Sequence, residues 1–155
     1  MDEKIAWIFT GQGFDFEQGK KITDVSFPND IEKCFEETFH YALAPVNCLN
    51  SDAFKKNEIS AALLLASTLQ QVEKMAHRPS ALAGFSVGQY LALYVAGSIS
   101  RSDLISVVFK RCEAMNKAAS AKKGSMAAIL GLKYEDINLI AQKHSVVISN
   151  DNAPG

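Results

Sequence analysis

The sequence has little of what marks secreted, membrane-bound or nucleic-acid-binding proteins. It has 3 cysteines, an odd number without a CxxC pair, as is typical of reduced cytosolic thiols. The apolar run near the N-terminus is too short for a signal peptide, and no run reaches transmembrane length. The formal net charge is -1 and the basic residues are scattered, which argues against a nucleic-acid or membrane-surface partner. We therefore expect a cytoplasmic globular protein, and we find no internal repeat or low-complexity linker.

The residues that are present indicate a folded α/β domain. Hydrophobic residues make up 48% of the 155 and charged residues 21%, a balance typical of globular proteins. Lys4–Thr10 is a nearly continuous apolar run, as expected of a strand buried on both faces. A helix with apolar spacing from Ile31 to Ala42 follows, with Asn29 or Asp30 as its cap, and a mostly buried helix spans about Ser60 to Met75. The order of strand, helices, strand and helix predicts a parallel sheet with helical crossovers.

The segment G-F-S-V-G, residues 84–88, is the centre of the functional prediction. Ala81–Gly84 reads as a short strand, and a helix runs from Val87 until Gly97 ends it. The five residues between them match the G-x-S-x-G nucleophile elbow, in which a sharp strand-to-helix turn exposes a serine. Ser86 is therefore the candidate nucleophile, and the backbone N–H of Val87 can point at an oxyanion. The alternative is a chance match in a glycine-rich turn, which the flanking strand and helix make less favoured.

One arginine is out of place in the next predicted helix. A capping box, Ser100-x-x-Asp103, begins a helix that runs to about Ala121. Arg111 falls on the apolar stripe of this helix, where a guanidinium is costly unless an anion meets it. That anion is either a structural acid within the protein or the carboxylate of a substrate held by the planar fork.

The residues after Gly124 have a different character. Met126–Leu132 reads as a strand, Tyr134–Lys143 as a short helix and Val146–Ser149 as a second strand, so that a compact βαβ unit is predicted. This change in character predicts that the chain is divided into two parts, residues 1–122 and residues 123–155.

The motifs together resemble one family. The chain is similar to the N-terminal half of malonyl-CoA:acyl carrier protein transacylases and of the related acyltransferase domains of polyketide synthases. The residues that carry the resemblance are Gly11-Gln12-Gly13 (family FPGQGSQ), residues 84–90 (GHSxGEY), residues 96–100 (AGxxS), Arg111, residues 124–128 (GxMAA) and residues 150–155 (NxNSPG). Several motifs in the same order along the whole chain are far more specific than one G-x-S-x-G pattern.

The resemblance implies a fold, a reaction and a set of roles. Residues 1–122 would be the N-terminal part of an α/β-hydrolase-like large subdomain, and residues 123–155 the first βαβ of an incomplete ferredoxin-like subdomain. Ser86 would take an acyl group from coenzyme A as an ester and pass it to an acyl carrier protein. The backbone amides of Gln12 and Val87 would form the oxyanion hole, and Arg111 would bind the free carboxylate of malonyl-CoA or methylmalonyl-CoA. Neither a cofactor nor a metal is part of this expectation.

The departures from the family pattern matter equally. Phe85 replaces the histidine before the nucleophile, Gln89 replaces a glutamate, and Ile59 stands at or close to the place of a glutamine. The family's catalytic histidine lies beyond the last residue of this chain, and the three histidines present read as surface residues.

The unpaired strand edges of half a ferredoxin-like unit predict a partner or aggregation. We therefore hypothesise a split acyltransferase whose complementary C-terminal half supplies the histidine. Two alternatives remain open: a non-catalytic acyltransferase-like protein that binds a carrier protein or another partner, and an unrelated serine esterase that uses the same elbow.

Overall fold

A computed structural model describes residues 4–12, 25–122 and 124–152. The chain divides into two compact units, residues 1–121 and residues 122–155. The first unit contains two strands, β1 (Ala6–Phe9) and β2 (Ala81–Gly84), which pair in parallel with Ala6 opposite Ala81 and Phe9 opposite Gly84. The predicted α/β class and the parallel pairing are thus confirmed. The assignment of the two units to a hydrolase-like and a ferredoxin-like subdomain stays a prediction.

Strand β1 is covered on one face, and the prediction of burial on both faces is wrong. The Phe9 side chain is buried and Trp7 packs against the core, whereas Ile8 on the opposite face is 76% exposed. A continuous apolar run is buried on both sides only where helices cover both faces of a sheet. In the part of the chain that the structure describes, the core lies against the face that carries Trp7 and Phe9.

Helix α1 spans Asn29–Phe39 and begins one residue earlier than its predicted caps allow. Pro28 takes the N-cap position in an extended conformation, and its carbonyl accepts hydrogen bonds from the N–H groups of Ile31 and Glu32. Proline suits this place because its φ is fixed and because an N–H there would lack a partner in the helix. Neither Asn29 nor Asp30 is therefore the cap, which corrects the prediction.

A short connection leads into the central helix of the unit. It contains a 3-10 turn at Val46–Cys48 and a single helical turn, α2 (Ser51–Phe54), capped by the Asn50 side chain. Helix α3 then spans Asn57–Lys74, and every residue from position 58 to 67 is buried. The prediction of a helix buried over most of its surface is confirmed, although α3 begins three residues before Ser60.

Two further helices complete the first unit. They are α4 (Gly88–Val95) and α5 (Arg101–Ala121). The predicted capping box is formed at the start of α5: the Ser100 hydroxyl accepts a hydrogen bond from the Asp103 N–H at 3.1 Å, and the Asp103 carboxylate accepts one from the Ser100 N–H at 3.4 Å. No helix in the described residues is long and apolar enough to cross a bilayer.

Aromatic packing and one arginine join the helices of this unit. Phe35 of α1 meets Phe109 of α5 edge to face, with ring centroids 5.5 Å apart. Arg101 donates hydrogen bonds to Asp30 of α1, with 2.6 Å between Nε and Oδ2, and to Glu73 of α3. The bonds from Arg101 hold the pKa of the Asp30 carboxyl below its usual value. A half-exposed ion pair therefore ties the starts of α1 and α5 to the end of α3.

The second unit contains helix α6 (Tyr134–His144), which ends at Ser145 in the left-handed conformation. The predicted helix is confirmed, but the predicted strands at Met126–Leu132 and Val146–Ser149 are not formed, because residues 124–133 and 146–150 have no regular secondary structure. A strand requires a neighbour for its backbone hydrogen bonds. The described part of this unit supplies no such neighbour. An apolar sequence pattern alone is therefore insufficient to form a strand here.

Candidate active site

The turn between β2 and α4 has the geometry of a nucleophile elbow. Ser86 has φ of 53°, in the left-handed region that costs an L-residue on the order of 1 kcal/mol. The turn is tight because glycines line it: a Cβ on Gly84 would lie 2.3 Å from the carbonyl oxygen of Gly88. A Cβ on Gly88 would in turn lie 2.4 Å from the carbonyl oxygen of Phe9. Strand β2, helix α4 and strand β1 therefore approach one another closely enough to hold Ser86 in this conformation.

Two backbone donors near the turn have no acceptor in the described part of the chain. Around Ser86, the N–H of Phe85 donates to the Phe9 carbonyl at 2.9 Å and the N–H of Gly88 donates to the Phe85 carbonyl at 2.9 Å. The N–H groups of Gln12 and Val87 have no acceptor among the residues that the structure describes. These are the two amides predicted to form an oxyanion hole, a role that stays a prediction.

Arg111 of α5 reaches the serine. Its Nη2 atom donates a hydrogen bond to the Ser86 Oγ atom at 3.1 Å, and its Nη1 atom donates one to the Gln12 Oε1 atom at 3.0 Å. The residue is half-buried, and within residues 4–12, 25–122 and 124–152 no carboxylate lies at ion-pair distance from the guanidinium. The structural acid required by the first interpretation of Arg111 is therefore not found there, and the two described groups that accept hydrogen bonds from the guanidinium are neutral.

The side chain of Gln12 has a place in the site that sequence reasoning missed. Its Oε1 atom accepts from Arg111, and its Nε2 atom donates to the Asn57 carbonyl at 2.8 Å. The Asn57 side chain donates in turn to the Asn116 Oδ1 atom at 3.4 Å. Only the backbone amide of Gln12 was predicted to act, and no local pattern links residues that lie 99 positions apart in the chain.

A buried carboxylate lies beside this group and was also missed. Glu58 is 9% exposed and accepts hydrogen bonds from the Tyr41 hydroxyl at 2.9 Å and from the Asn116 Nδ2 atom at 2.8 Å. Burial raises the pKa of Glu58, but the bonds from Asn116, its own backbone N–H and Tyr41 outweigh it, so that the pKa is lowered. Burial and the bond to Glu58 raise the pKa of Tyr41. An ionised Glu58 thus links α3 to α5 through Asn116.

Among the described residues, no side chain that could act as a general base contacts the serine. His40, His77 and His144 are exposed, as predicted, and Arg111 is the side-chain partner of Ser86 in the described residues. Phe85, which replaces the family's histidine, is 64% exposed. The described residues therefore supply a candidate nucleophile and a cation, but no proton acceptor at hydrogen-bond distance.

The cysteine next to the site does not supply a second nucleophile. All 3 are free thiols, of which Cys112 is buried next to Gln12 and Asn57. Burial raises the pKa of Cys112 to about 11, even though the charge of Arg111 acts in the opposite direction. The thiol near the site is therefore protonated and unreactive at neutral pH.

The fold and the site define an α/β protein with an elbow serine and an arginine at its hydroxyl. No family model matches the chain. It is 34% identical to the malonyl CoA-acyl carrier protein transacylase of Bacillus subtilis (strain 168), over 98% of this chain and 51% of that protein. It is 30% identical to the polyketide biosynthesis malonyl CoA-acyl carrier protein transacylase BaeC of Bacillus velezensis, over 97% of this chain and 53% of that protein.

A solved structure agrees with these relatives. The crystal structure of the malonyl CoA-acyl carrier protein transacylase from Burkholderia pseudomallei matches 98% of this chain and 54% of that chain, with a TM-score of 0.71 and 25% identity. The resemblance to malonyl-CoA:acyl carrier protein transacylases and polyketide acyltransferases is thereby confirmed over almost the whole chain. The chain spans about half the length of these relatives.

Proposed function

We propose that this chain supplies the nucleophile and the carboxylate-binding residue of an acyltransferase that moves a malonyl-type group from coenzyme A to an acyl carrier protein. The observation that carries the proposal is the contact between the Arg111 guanidinium and the Ser86 hydroxyl, at 3.1 Å. The names of the relatives support the choice of donor and acceptor.

The distance between the two residues fits a short dicarboxylic acyl group. In a malonyl thioester a single carbon separates the thioester carbonyl from the free carboxylate. A residue that binds the carboxylate must therefore lie next to the residue that attacks the carbonyl, as Arg111 and Ser86 do. The planar guanidinium can hold both carboxylate oxygens, and methylmalonyl has the same spacing.

The reaction follows a ping-pong scheme. The Ser86 Oγ atom attacks the thioester carbonyl, the C–S bond breaks, and the serine proton passes through a base to the departing coenzyme A thiolate. The phosphopantetheine thiol of the carrier protein then attacks the serine ester and regenerates the hydroxyl. The backbone amides of Gln12 and Val87 stabilise the oxyanion in both steps.

A base for Ser86 must be supplied in addition to the described residues. All three histidines of the chain are exposed and none contacts Ser86, so the proton acceptor has no candidate among the described residues. We propose that a complementary C-terminal half carries the catalytic histidine, either as the rest of a longer chain or as a separate polypeptide.

Labelling of the serine tests the proposal. The chain is mixed with malonyl-CoA or acetyl-CoA, alone and together with the C-terminal half of a relative, with and without an acyl carrier protein. The added acyl mass is located by mass spectrometry of the intact proteins and their peptides. We expect a malonyl ester on Ser86 with the added half and none in the Ser86→Ala variant.

Three outcomes would contradict the proposal. Full turnover by the chain alone would refute the need for a second half. No label under any condition would favour the non-catalytic binding protein. Labelling that is indifferent to the carboxylate of the donor would favour the esterase.

A further inference from the structure

The two ends of the Gln12 side chain contact two different helices. The Nε2 atom donates to the carbonyl of Asn57, the first residue of α3, at 2.8 Å. The Oε1 atom accepts from the Nη1 atom of Arg111 on α5 at 3.0 Å. The amide is half-buried and uses its donor and its acceptor at the same time.

The anchor of Gln12 is itself attached to the helix that carries Arg111. The Asn57 Nδ2 atom donates to the Asn116 Oδ1 atom at 3.4 Å and lies 3.5 Å from the Cys112 carbonyl oxygen, both on α5. Glu58 holds the other end of the Asn116 amide. Gln12 is thus bonded both to α3, through Asn57, and to α5, through Arg111, and Asn57 and Glu58 in turn join α3 to α5.

We infer that the Gln12 side chain is a positioning residue that fixes the orientation of the Arg111 guanidinium for a carboxylate-bearing acyl group. The inference rests on the proposed function, in which Arg111 binds that carboxylate. A long side chain that enters a site in one orientation has less freedom to lose when its ligand binds, and this preorganisation increases affinity. Gln12 accepts a hydrogen bond from one edge of the guanidinium. The N–H group that faces Ser86 and the remaining N–H groups are therefore left to bind the substrate.

A neutral amide is the appropriate partner for this purpose. A carboxylate at position 12 would form an ion pair with Arg111 and would compete with the substrate for it. A glutamine accepts the same hydrogen bond but leaves the positive charge uncompensated. The chemistry of the partner therefore favours acyl groups with a negative charge over neutral ones.

Malonate and two substitutions at position 12 test the inference. The dissociation constant of malonate is measured by calorimetry for the wild type and for the Gln12→Met, Gln12→Glu and Arg111→Ala variants. The same proteins, each with the C-terminal half of a relative, are compared for acylation of Ser86 by malonyl-CoA and by acetyl-CoA. Gln71→Met makes the same chemical change at an exposed position of α3 and is the control.

We expect Gln12→Met to weaken malonate binding on the order of tenfold and to lower the malonyl-to-acetyl ratio by a similar factor. Gln12→Glu should abolish malonate binding, because the nearly isosteric carboxylate neutralises Arg111 without leaving a cavity. Gln71→Met should behave as the wild type. A glutamine that only stabilises the fold would change the melting temperature and both acylation rates together, with the ratio unchanged.

The failures of the two proposals are distinguishable. Loss of malonate binding in Arg111→Ala together with wild-type binding in Gln12→Met and Gln12→Glu would overturn the inference and leave the proposed function in place. Malonate binding that survives Arg111→Ala, or that is absent from the wild type, would overturn the carboxylate role of Arg111 and the inference with it.

Discussion

The Arg111 guanidinium donates a hydrogen bond to the Ser86 hydroxyl at 3.1 Å, although the two residues are 25 positions apart and lie on α5 and on the turn before α4. In the described residues no carboxylate neutralises this arginine. A positive charge is therefore held at a candidate nucleophile, which is the arrangement that an acyl group with a free carboxylate requires.

Removal of the charge should reverse the preference between acyl groups. With the C-terminal half of a relative present, we expect Arg111→Ala to slow acylation of Ser86 by malonyl-CoA on the order of a hundredfold, since a charged hydrogen-bond donor is lost. Acylation by acetyl-CoA should be unchanged or faster. Arg111→Lys is the matched control, because it keeps the charge but loses the planar fork. Its rate of acylation by malonyl-CoA should lie between those of the wild type and Arg111→Ala. Equal slowing with both donors would contradict the assignment.

Two substitutions of Ser86 should differ in their effect on stability but not in their effect on acylation. Ser86→Gly and Ser86→Ala both remove the hydroxyl and should both abolish acylation. Because glycine adopts a positive φ without steric cost, Ser86→Gly should be more stable than Ser86→Ala by about 1 kcal/mol. Urea unfolding of the two variants measures the difference. Equal stability would show that the left-handed conformation at position 86 carries no strain.

Substitution of a glycine that lines the elbow should be severe. Gly88→Ala places a Cβ 2.4 Å from the Phe9 carbonyl oxygen, and because that atom is backbone the strand or the helix must shift. We expect a loss of about 1–3 kcal/mol in the free energy of unfolding and loss of Ser86 acylation. Gly124→Ala is the control, since a Cβ there meets no atom within 4 Å. A wild-type unfolding curve for Gly88→Ala would contradict the close packing.

The ion pair between Asp30 and Arg101 should give stability that depends on pH. The pKa of Asp30 is lower in the folded protein than in the unfolded chain, so the contribution is present above the unfolded value and is lost as the pH falls through the folded value. Because both side chains are partly exposed to solvent, we expect Asp30→Asn to cost only about 0.5–1 kcal/mol at pH 7, and progressively less as the pH falls through the folded pKa of Asp30.

Glu37→Gln is the control for Asp30→Asn. Glu37 faces Lys33 across 3.9 Å in an exposed pair of one helix, which should contribute less. Urea unfolding of each variant at several pH values provides the comparison. A cost for Asp30→Asn that is the same at every pH would exclude the ion pair as its cause.

Several elements could be predicted because their determinants are local. Residues 84–88 contain both glycines and the serine of the elbow, and Ser100 and Asp103 form a capping box within one turn. The contact of Arg111 with Ser86 was expected only in outline, since the apolar stripe of α5 shows where the arginine faces but not what it meets. The Gln12 side chain, Asn57 and the buried Glu58 could not be predicted, because their partners come from distant segments.

The sequence by itself determined where the helices lie, which turn holds the serine and that one arginine faces the core, because hydrophobic spacing, capping and glycine positions act within a few residues. The tertiary structure alone decided that the Gln12 side chain accepts a hydrogen bond from Arg111, 99 positions away in the chain, and that Ile8 faces away from the core. It also decided that the apolar residues on either side of α6 form no strand in the described part of the chain. Such contacts depend on which surfaces folding brings together, and burial and strand pairing both require a neighbour that no short segment encodes.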